Sequence, residues 1–219
     1  MSDAAEPVQA VISDFGGVLT SPIQASFAFV QETVGIPLEA LGRAMATVTE
    51  EDGANPLHEL ECGRITEERF MARLAEAISA DIGRPVAMHA FSEHYFRHLH
   101  TNHEMLGLIM SVRARGLRTA MLTNNVREWE PRWRSMLPVD ELFELVVDSA
   151  FVGMRKPDPE IYLLTCARLG LPPTACLLID DFVQNCDAAR ELGMRAVRFE
   201  DTAQTIADVE RELAAGRDR

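Results

Sequence analysis

The chain predicts an α/β fold in which a parallel sheet carries helices on both faces and an all-α segment is inserted into it. Three observations predict this. An apolar strand near the amino terminus ends at a carboxylate followed by glycines, residues 21–103 hold only helical patterns, and strands alternate with helices from residue 104 onward. A length of 219 residues with 47% apolar content suits one core with one sizeable insertion.

The core elements follow from apolar runs and the glycines or polar residues that end them. The first predicted strand covers residues 8–13, and later strands cover 117–122, 145–147, 176–179 and 196–198. Predicted helices cover 104–115, 126–136, 159–169, 183–192 and about 202–215. This alternation predicts a Rossmann-like core made of residues 1–20 and 104–219.

Residues 21–103 form a predicted helical cap. Amphipathic patterns indicate helices over 23–34, 38–49, 66–80 and 88–99, and Thr66 precedes acidic residues as a helix N-cap does. Open α/β sheets bind ligands at the carboxyl ends of their strands. Because the insertion directly follows the first strand, it predicts a lid over that edge.

Net charge and composition limit the classes of binding partner and the cellular compartment that the sequence predicts. The formal net charge of −13 disfavours nucleic acid and anionic membranes, so an anionic substrate needs a local cation or metal. Four cysteines without a C-x-x-C spacing predict buried thiols in a reducing compartment. No apolar signal segment and no membrane-spanning stretch is evident, which predicts a cytoplasmic protein.

Polar residues follow four predicted strand ends or adjoining loops. A charged side chain at the carboxyl end of a buried strand is costly unless a ligand or metal uses it. Asp14 occupies such a position. The four segments are Asp14-Phe15-Gly16-Gly17-Val18, Leu122-Thr123-Asn124-Asn125, Arg155-Lys156-Pro157-Asp158-Pro159 and Leu178-Ile179-Asp180-Asp181. Together they offer a nucleophile, phosphate-binding donors, a cation and a second metal carboxylate, which predicts Mg²⁺-dependent phosphoryl transfer.

These segments resemble, in order, the four motifs of the haloacid dehalogenase-like hydrolase superfamily. The inserted helices correspond to that family's cap between the first and second motifs, and the resemblance spans nearly the whole chain. Within the superfamily the chain most resembles phosphatases similar to the N-terminal domain of soluble epoxide hydrolase. The resemblance implies a Mg²⁺-dependent phosphatase that hydrolyses a phosphoric monoester or acyl phosphate of a small metabolite.

The resemblance also implies residue roles. Asp14 is the expected nucleophile and forms an aspartyl-phosphate. Asp14, the carbonyl of Gly16 and the carboxylate of Asp181 are the expected metal ligands, since Mg²⁺ prefers oxygen donors. Asp180 and Asn185 are expected to lie beyond the direct ligands.

Phosphate contacts are expected from a second group of residues. Lys156 supplies a positive charge between the phosphate and Asp14, which otherwise repel each other. The Thr123 hydroxyl is suited to a phosphate oxygen. The expected phosphate-binding residues are Thr123, Asn124, Lys156, Gly16 and Gly17.

Gly16 departs from the family pattern. Phosphatases of the family carry an aspartate there, two residues after the nucleophile, as general acid and base, a role worth about 10²–10⁴-fold in rate. Three readings follow: a substrate with a good leaving group, a replacement acid from the cap or from water, or a protein that mainly binds phosphate. His58 and Glu59 are candidate replacements, although a surface histidine is the more ordinary interpretation.

Other functions are weighed against the phosphatase. Haloacid dehalogenases also lack the second aspartate, but they need no metal and lack the acidic pair that Asp180 and Asp181 form here. Phosphonate cleavage needs a cap lysine, and residues 21–103 contain none. The alternative from another class is a catalytically weakened phosphate-binding or scaffold protein.

Histidines and tryptophans leave further possibilities. His94 and His98 are spaced to share one helix face, as a metal pair or as partly exposed imidazoles. Trp129 and Trp133 are spaced alike and predict packing against the sheet or another subunit. The expected assembly is a monomer or a homodimer.

Overall fold

A computed structural model of the chain describes residues 7–22, 36–88 and 91–215. Five parallel strands form one sheet in the order β3-β2-β1-β4-β5. The strands are β1 Ala10–Ser13, β2 Arg118–Thr123, β3 Leu145–Asp148, β4 Cys176–Asp180 and β5 Arg195–Arg198. The predicted α/β fold is therefore confirmed.

The strand register brings the predicted polar residues to one edge. Ser13 of β1 pairs with Met121 of β2 and with Ile179 of β4. Asp14, which follows β1, is therefore level with the last residues of both neighbouring strands. Because all strands run parallel, their carboxyl ends meet along this edge.

The two faces of the sheet carry separate apolar clusters. Side chains alternate between the faces of a strand, so Val11 belongs to one cluster and Ile12 to the other. Helices α5 His103–Ala114 and α11 Thr202–Ala214 cover the first face, and α9 Pro159–Leu169 and α10 Val183–Glu191 cover the second. The central strand β1 is buried throughout.

Shorter helices complete the core, and one prediction needs correction. The segment predicted as a helix over 126–136 is a 3₁₀ turn, Arg127–Trp129, followed by the short helix α6 Glu130–Arg134. Pro131 lies in the first turn of α6, and because proline lacks an N–H it favours a helix start at that point. The helices α7 Val139–Leu142 and α8 Ser149–Val152 were not predicted.

The insertion contains helices α1 Leu38–Asp52, α2 Pro56–Glu61, α3 Glu67–Ile82 and α4 Phe91–Arg97. The predicted helix over 23–34 lies outside the described residues. Thr66 caps α3, since its side chain accepts from the Arg69 N–H at 3.2 Å, as predicted. The helix α2 was not among the predicted helices, and Asn55 caps it by accepting from the Leu57 N–H at 2.9 Å.

The two chain connections between β1 and the insertion, and between the insertion and α5, run side by side. Thr20 and Thr101 form an antiparallel bridge, and the Asn102 N–H donates to the Leu19 carbonyl at 2.8 Å. This pairing lies at the predicted core–cap boundary. The division into core and cap remains a prediction.

The remaining sequence predictions concern cysteines and membranes. All four cysteines are free and buried, as predicted. Within the described ranges, no helix combines the length and apolar character needed to cross a membrane.

Asp148 ends β3 with a carboxylate that lacks full hydrogen bonding. Its Oδ1 accepts from the Ala150 N–H at 3.0 Å, while its buried Oδ2 has no hydrogen-bond partner among the described residues. Burial raises the pKa of Asp148 to about 6, against the hydrogen bond from Ala150. An acid whose pKa is higher in the folded than in the unfolded chain opposes folding once it ionises.

Asp148→Asn should therefore stabilise the protein at alkaline pH. The asparagine can keep the Ala150 contact but never ionises. The gain should be roughly 2–3 kcal/mol at pH 8, or about 5 °C or more in Tm, and should shrink to about a third of that at pH 4.5. Thermal unfolding at the two pH values measures it. Asp140→Asn, at a side chain that is 96% exposed, is the control, and an equal gain at both pH values would contradict the prediction.

Candidate active site

Asp14 is held rigidly at the end of β1. Its backbone N–H donates to the Ile179 carbonyl at 2.9 Å, which extends the sheet ladder by one residue. The Phe15 N–H donates to its Oδ1 at 2.7 Å. The residue is only 6% exposed, so the carboxylate has a fixed orientation and little contact with solvent.

Lys156 connects two of the acidic residues. Its Nζ lies 2.9 Å from Oδ1 of Asp14 and 2.6 Å from Oδ2 of Asp180. The side chain is 1% exposed, and Lys156 is the only lysine in the sequence. Burial lowers the pKa of Lys156, but the charges of Asp14 and Asp180 outweigh it, so the pKa lies above its ordinary value. The ammonium is therefore charged at neutral pH.

Asn124 fixes the loop that carries Lys156. Its Oδ1 accepts from the Lys156 N–H at 2.8 Å, and its Nδ2 donates to the Lys156 carbonyl at 2.9 Å. Both polar atoms of the side chain thus bind one residue's backbone. The predicted phosphate contact of Asn124 stays a prediction, while this positioning of Lys156 was not predicted.

Both carboxylate oxygens of Asp180 accept hydrogen bonds from the protein. Besides Lys156 on Oδ2, its Oδ1 accepts from the Phe182 N–H at 2.9 Å and from Asn185 Nδ2 at 2.8 Å. The residue is fully buried. Its two oxygens orient Lys156 and the start of α10, while the expected place of Asp180 and Asn185 beyond the direct metal ligands stays a prediction.

Asp181 differs from its neighbour in having a carboxylate oxygen to spare. Its Oδ1 is buried with no hydrogen-bond partner among the described residues. Oxygen atoms of Asp14, Asp180 and Asp181 lie within 4.8 Å of one another. Three carboxylates against one ammonium leave an excess of negative charge in a buried site, which suits a divalent cation, and an all-oxygen set suits Mg²⁺.

The raised pKa values of Asp14 and Asp181 reflect burial and the excess of negative charge in the site. Burial raises the pKa of Asp14, reinforced by Asp180 and Asp181 and opposed by Lys156. Burial, with a contribution from Asp180, raises the pKa of Asp181 to about 6. A nearby cation favours the charged form of a carboxylate, so a bound divalent ion would keep both groups ionised.

The turn after Asp14 passes close to Asp181. Gly17 has a φ of +78°, and a Cβ built on it would lie 2.6 Å from Oδ2 of Asp181. The Gly17 N–H donates to Thr20 Oγ1 at 3.1 Å. The predicted contacts of Gly16 with metal and of Gly16 and Gly17 with phosphate stay predictions, but the close approach explains why a side chain at position 17 does not fit.

Thr123 ends β2 beside the site. Among the described residues its hydroxyl makes only long contacts, 3.5 Å to the Asn124 carbonyl and 3.4 Å from Asn125 Nδ2. Hydrogen bonds of this length are weak. The hydroxyl can therefore turn to a phosphate oxygen at little cost.

The insertion adds residues that sequence analysis did not select. Glu61 at the end of α2 binds Arg155, the residue before Lys156, with Oε2 2.6 Å from Nε. Tyr95 on α4 is buried, and its pKa is raised by burial and then by Asp14, Asp181 and Glu61. In the sequence, Glu61 is only an acidic residue before a turn at Cys62-Gly63. Its place near Lys156 becomes evident only from its tertiary contact with Arg155.

The structure describes the side chains of both predicted replacement acids, Glu59 and His58. Glu59 pairs with Arg64 at the surface, at 2.7 Å. His58 lines a cavity of about 310 Å³ with Cys62, Arg64 and Arg155. The side chain of His94 lies outside the described residues, so the His94–His98 pair stays a prediction.

The tryptophans pack inside the protein. Trp133 is fully buried with its ring 5.7 Å from that of Phe15. Trp129 stacks on Tyr95 at 5.0 Å and meets Phe96 edge-on at 5.4 Å. Trp129 therefore joins the core to the helix α4 of the insertion, whereas packing against the sheet or another subunit was predicted.

A model of the haloacid dehalogenase-like hydrolase family matches residues 8–193. The chain belongs to this family. Its four segments at the carboxyl edge of the sheet coincide with the motifs that the sequence resembles, and the helical insertion falls inside the matched range.

Two curated relatives resemble this haloacid dehalogenase-like hydrolase over most of its length. Phosphatase MT3486 of Mycobacterium tuberculosis is 29% identical over 216 residues, covering 95% of this chain and 94% of the relative. Bifunctional epoxide hydrolase 2 of Mus musculus is 26% identical over 210 residues, covering 90% of this chain but 37% of that protein. The chain thus spans well under half of the epoxide hydrolase.

Solved structures share the fold. A family enzyme of Bacteroides thetaiotaomicron, bt-2542, in complex with magnesium and inorganic phosphate, has a TM-score of 0.64 at 21% identity, covering 89% of this chain and 96% of that one. The L-2-haloacid dehalogenase RSc1362 has a TM-score of 0.68 at 18% identity, covering 93% and 99%. Likenesses at this identity concern the fold alone.

Gly17→Ala should weaken the response of the protein to Mg²⁺. The new methyl group would displace the Asp181 carboxylate, and the positive φ adds backbone strain. A ligand that binds only the folded state raises Tm. We expect Mg²⁺ to raise the Tm of the wild type, and Gly17→Ala to need at least about tenfold more Mg²⁺ for the same rise.

Gly42→Ala is the matched control. Gly42 lies in helix α1 with no atom within 4 Å of the position of a Cβ. It should keep the Mg²⁺ response and gain up to about 1 kcal/mol of stability from helix propensity. An equal Mg²⁺ response in the two variants would contradict a metal site at Asp181.

Proposed function

We propose that this haloacid dehalogenase-like hydrolase is a Mg²⁺-dependent phosphatase that acts on a small phosphorylated metabolite through an aspartyl-phosphate. One observation carries the proposal. The buried ammonium of Lys156 contacts both Asp14 and Asp180, while Asp181 keeps a buried oxygen that has no partner in the described part of the chain. A charged nucleophile, a cation beside it and a spare carboxylate suit an anionic substrate that arrives with a metal.

The proposed first step uses Asp14 as the nucleophile. A carboxylate oxygen bonds to phosphorus as the bond from phosphorus to the leaving-group oxygen breaks, and the leaving group takes up a proton. Lys156 reduces the repulsion between Asp14 and the phosphoryl oxygens, which are both negative. Burial of Asp14 and Lys156 strengthens that effect because the local dielectric is low. In the second step water attacks phosphorus, releases inorganic phosphate and restores Asp14.

The metal and phosphate contacts complete the proposed site. Asp14, Asp181 and the Gly16 carbonyl would hold Mg²⁺, which supplies positive charge to the transferring phosphoryl group. The Thr123 hydroxyl would bind a phosphate oxygen. Asn124 and Asp180 would act through Lys156, since both hold that residue in place.

The relatives support the same chemistry. A relative named a phosphatase matches 95% of the chain. The structure of bt-2542 contains magnesium and inorganic phosphate in a fold like this one. Both are statements about those proteins, and they make phosphate and Mg²⁺ the first ligands to test here.

The lack of a carboxylate at Gly16 favours one competing function, that of a haloacid dehalogenase. Without a carboxylate at this position, the chain shares with haloacid dehalogenases the lack of an acid beside the nucleophile. Halide departs without a proton, so such a reaction needs none. The three clustered carboxylates oppose this function, because without a metal they leave unbalanced negative charge near an anionic haloacid.

The test is phosphate release from acetyl phosphate, an aryl phosphate, a sugar 1-phosphate and an alkyl phosphate, with and without Mg²⁺. The wild type should release phosphate only with Mg²⁺, and Asp14→Asn should lower the rate at least about 10³-fold because the nucleophile is gone. Asp140→Asn, at an exposed position, should match the wild type.

Three outcomes would contradict the proposal. Unchanged release by Asp14→Asn would mean that Asp14 is not the nucleophile. Halide release from a 2-haloacid without Mg²⁺, with no release from the phosphates, would establish the dehalogenase instead. Phosphate binding without turnover would support the binding protein.

A further inference from the structure

The first step of the proposed reaction needs a proton, and the turn after Asp14 does not supply one. Gly16 has no side chain, and Lys156 is committed to two carboxylates. Both oxygens of Asp180 accept protein hydrogen bonds. Since the proposed function assigns Asp181 to the metal, an acid at this site must come from a residue outside the four motifs or from water.

Glu61 of the insertion binds the residue next to Lys156 in the core. Its side chain is 15% exposed, and its Oε2 lies 2.6 Å from Nε of Arg155. Arg155 directly precedes Lys156, whose ammonium touches Asp14. Within the described residues, no hydrogen bond to Oε1 of Glu61 is found. The carboxylate is thus anchored through one oxygen and keeps the other for a ligand.

The turn after Glu61 packs tightly on the core. A Cβ built on Gly63 would lie 2.2 Å from the Ala150 carbonyl, and Gly63 has a φ of +65°. Arg127 donates to the same carbonyl at 2.6 Å. This contact fixes the end of α2 against the segment after β3, so Glu61 is presented by a docked surface rather than by a free loop.

The charges around Glu61 suit a proton donor. Burial raises the pKa of Glu61, while Arg155 and Lys156 oppose the rise. The charge of Glu61 in turn contributes to raising the pKa values of Tyr95 and Cys62. A carboxyl group with a raised pKa is protonated more often near neutral pH, as a general acid requires.

We propose that Glu61 is the general acid and base of this enzyme, held by Arg155 and taking the place of the carboxylate absent at Gly16. The proposal rests on the phosphatase activity proposed above. It assigns a catalytic role to a side chain of the insertion, so that proton transfer depends on the docked insertion.

The proton balance is complete with Glu61 alone. In the first step its carboxyl gives a proton to the leaving-group oxygen as the bond from that oxygen to phosphorus breaks and Asp14 is phosphorylated. In the second step the Glu61 carboxylate takes a proton from the attacking water. Inorganic phosphate leaves, and Asp14 and protonated Glu61 are restored.

The test compares Glu61→Gln with the wild type in a single turnover, with Mg²⁺ present, by rapid quench. Phosphorylation of Asp14 by an alkyl phosphate should slow by about 10²-fold or more, because its leaving group needs a proton. Phosphorylation by acetyl phosphate should change by no more than about threefold, because acetate leaves without one. Glu61→Asp should recover part of the loss with the alkyl phosphate.

Matched variants exclude other roles. Glu59→Gln, two residues earlier and paired with Arg64 at the surface, should behave as the wild type. If Glu61 only docks the insertion, Glu61→Gln slows both substrates equally, and the proposal is wrong. If Tyr95→Phe shows the loss specific to the alkyl phosphate and Glu61→Gln does not, the acid is Tyr95 and the proposal is again wrong.

The failure of this proposal differs from the failure of the phosphatase. If the wild type phosphorylates Asp14 from neither substrate and releases no phosphate with Mg²⁺, both proposals fail. If the wild type is active, Asp14→Asn is inactive and Glu61→Gln treats both substrates alike, only the role of Glu61 is lost.

Discussion

The contact on which the site depends is the buried ammonium of Lys156 between Asp14 and Asp180. Each of these groups alone would be costly to bury, and removing one member of such a cluster leaves an uncompensated charge. The surrounding structure serves this contact. Asn124 binds both backbone groups of Lys156, and Asn185 holds the far oxygen of Asp180. The motifs are therefore one electrostatic unit, although they are far apart in sequence.

The same electrostatic unit determines how much negative charge is left uncompensated for a ligand to balance. Lys156 balances only part of the charge of Asp14, Asp180 and Asp181, and the unpaired oxygen belongs to Asp181. Gly17 leaves room for that carboxylate. A divalent cation and a phosphoryl group together complete the charge balance of the site, since the cation brings the positive charge that the negative phosphoryl group needs. The site thus favours a substrate that binds with its metal.

The sequence predicted those parts of the structure that depend on strand ends. Asp14, Thr123 and Asp180 meet because each lies at the carboxyl end of a strand in a parallel sheet, which periodicity and glycine positions reveal. Contacts between distant segments were not predictable. Glu61 meets Arg155 across 94 positions, and nothing in the local pattern around either residue indicates the partner.

Local patterns also failed where two signals compete. One helix was predicted over residues 126–136, but a new helix starts within this range at Glu130, with Pro131 in its first turn. The segment before Glu61 contains a proline and an asparagine, which predict a break in one context and a helix start in another. In the structure Asn55 and Pro56 start α2. Which signal prevails depends on packing against the core.

The most direct measurement follows from Lys156 being the only lysine. Protein labelled with ¹⁵N-lysine gives one side-chain nitrogen signal, whose shift against pH reports the charge of this ammonium. We predict a titration above the ordinary lysine pKa of about 10.4, because Asp14 and Asp180 stabilise the charged form. A titration at or below that value would mean that burial outweighs the two carboxylates, and would contradict the charge balance on which the proposed chemistry rests.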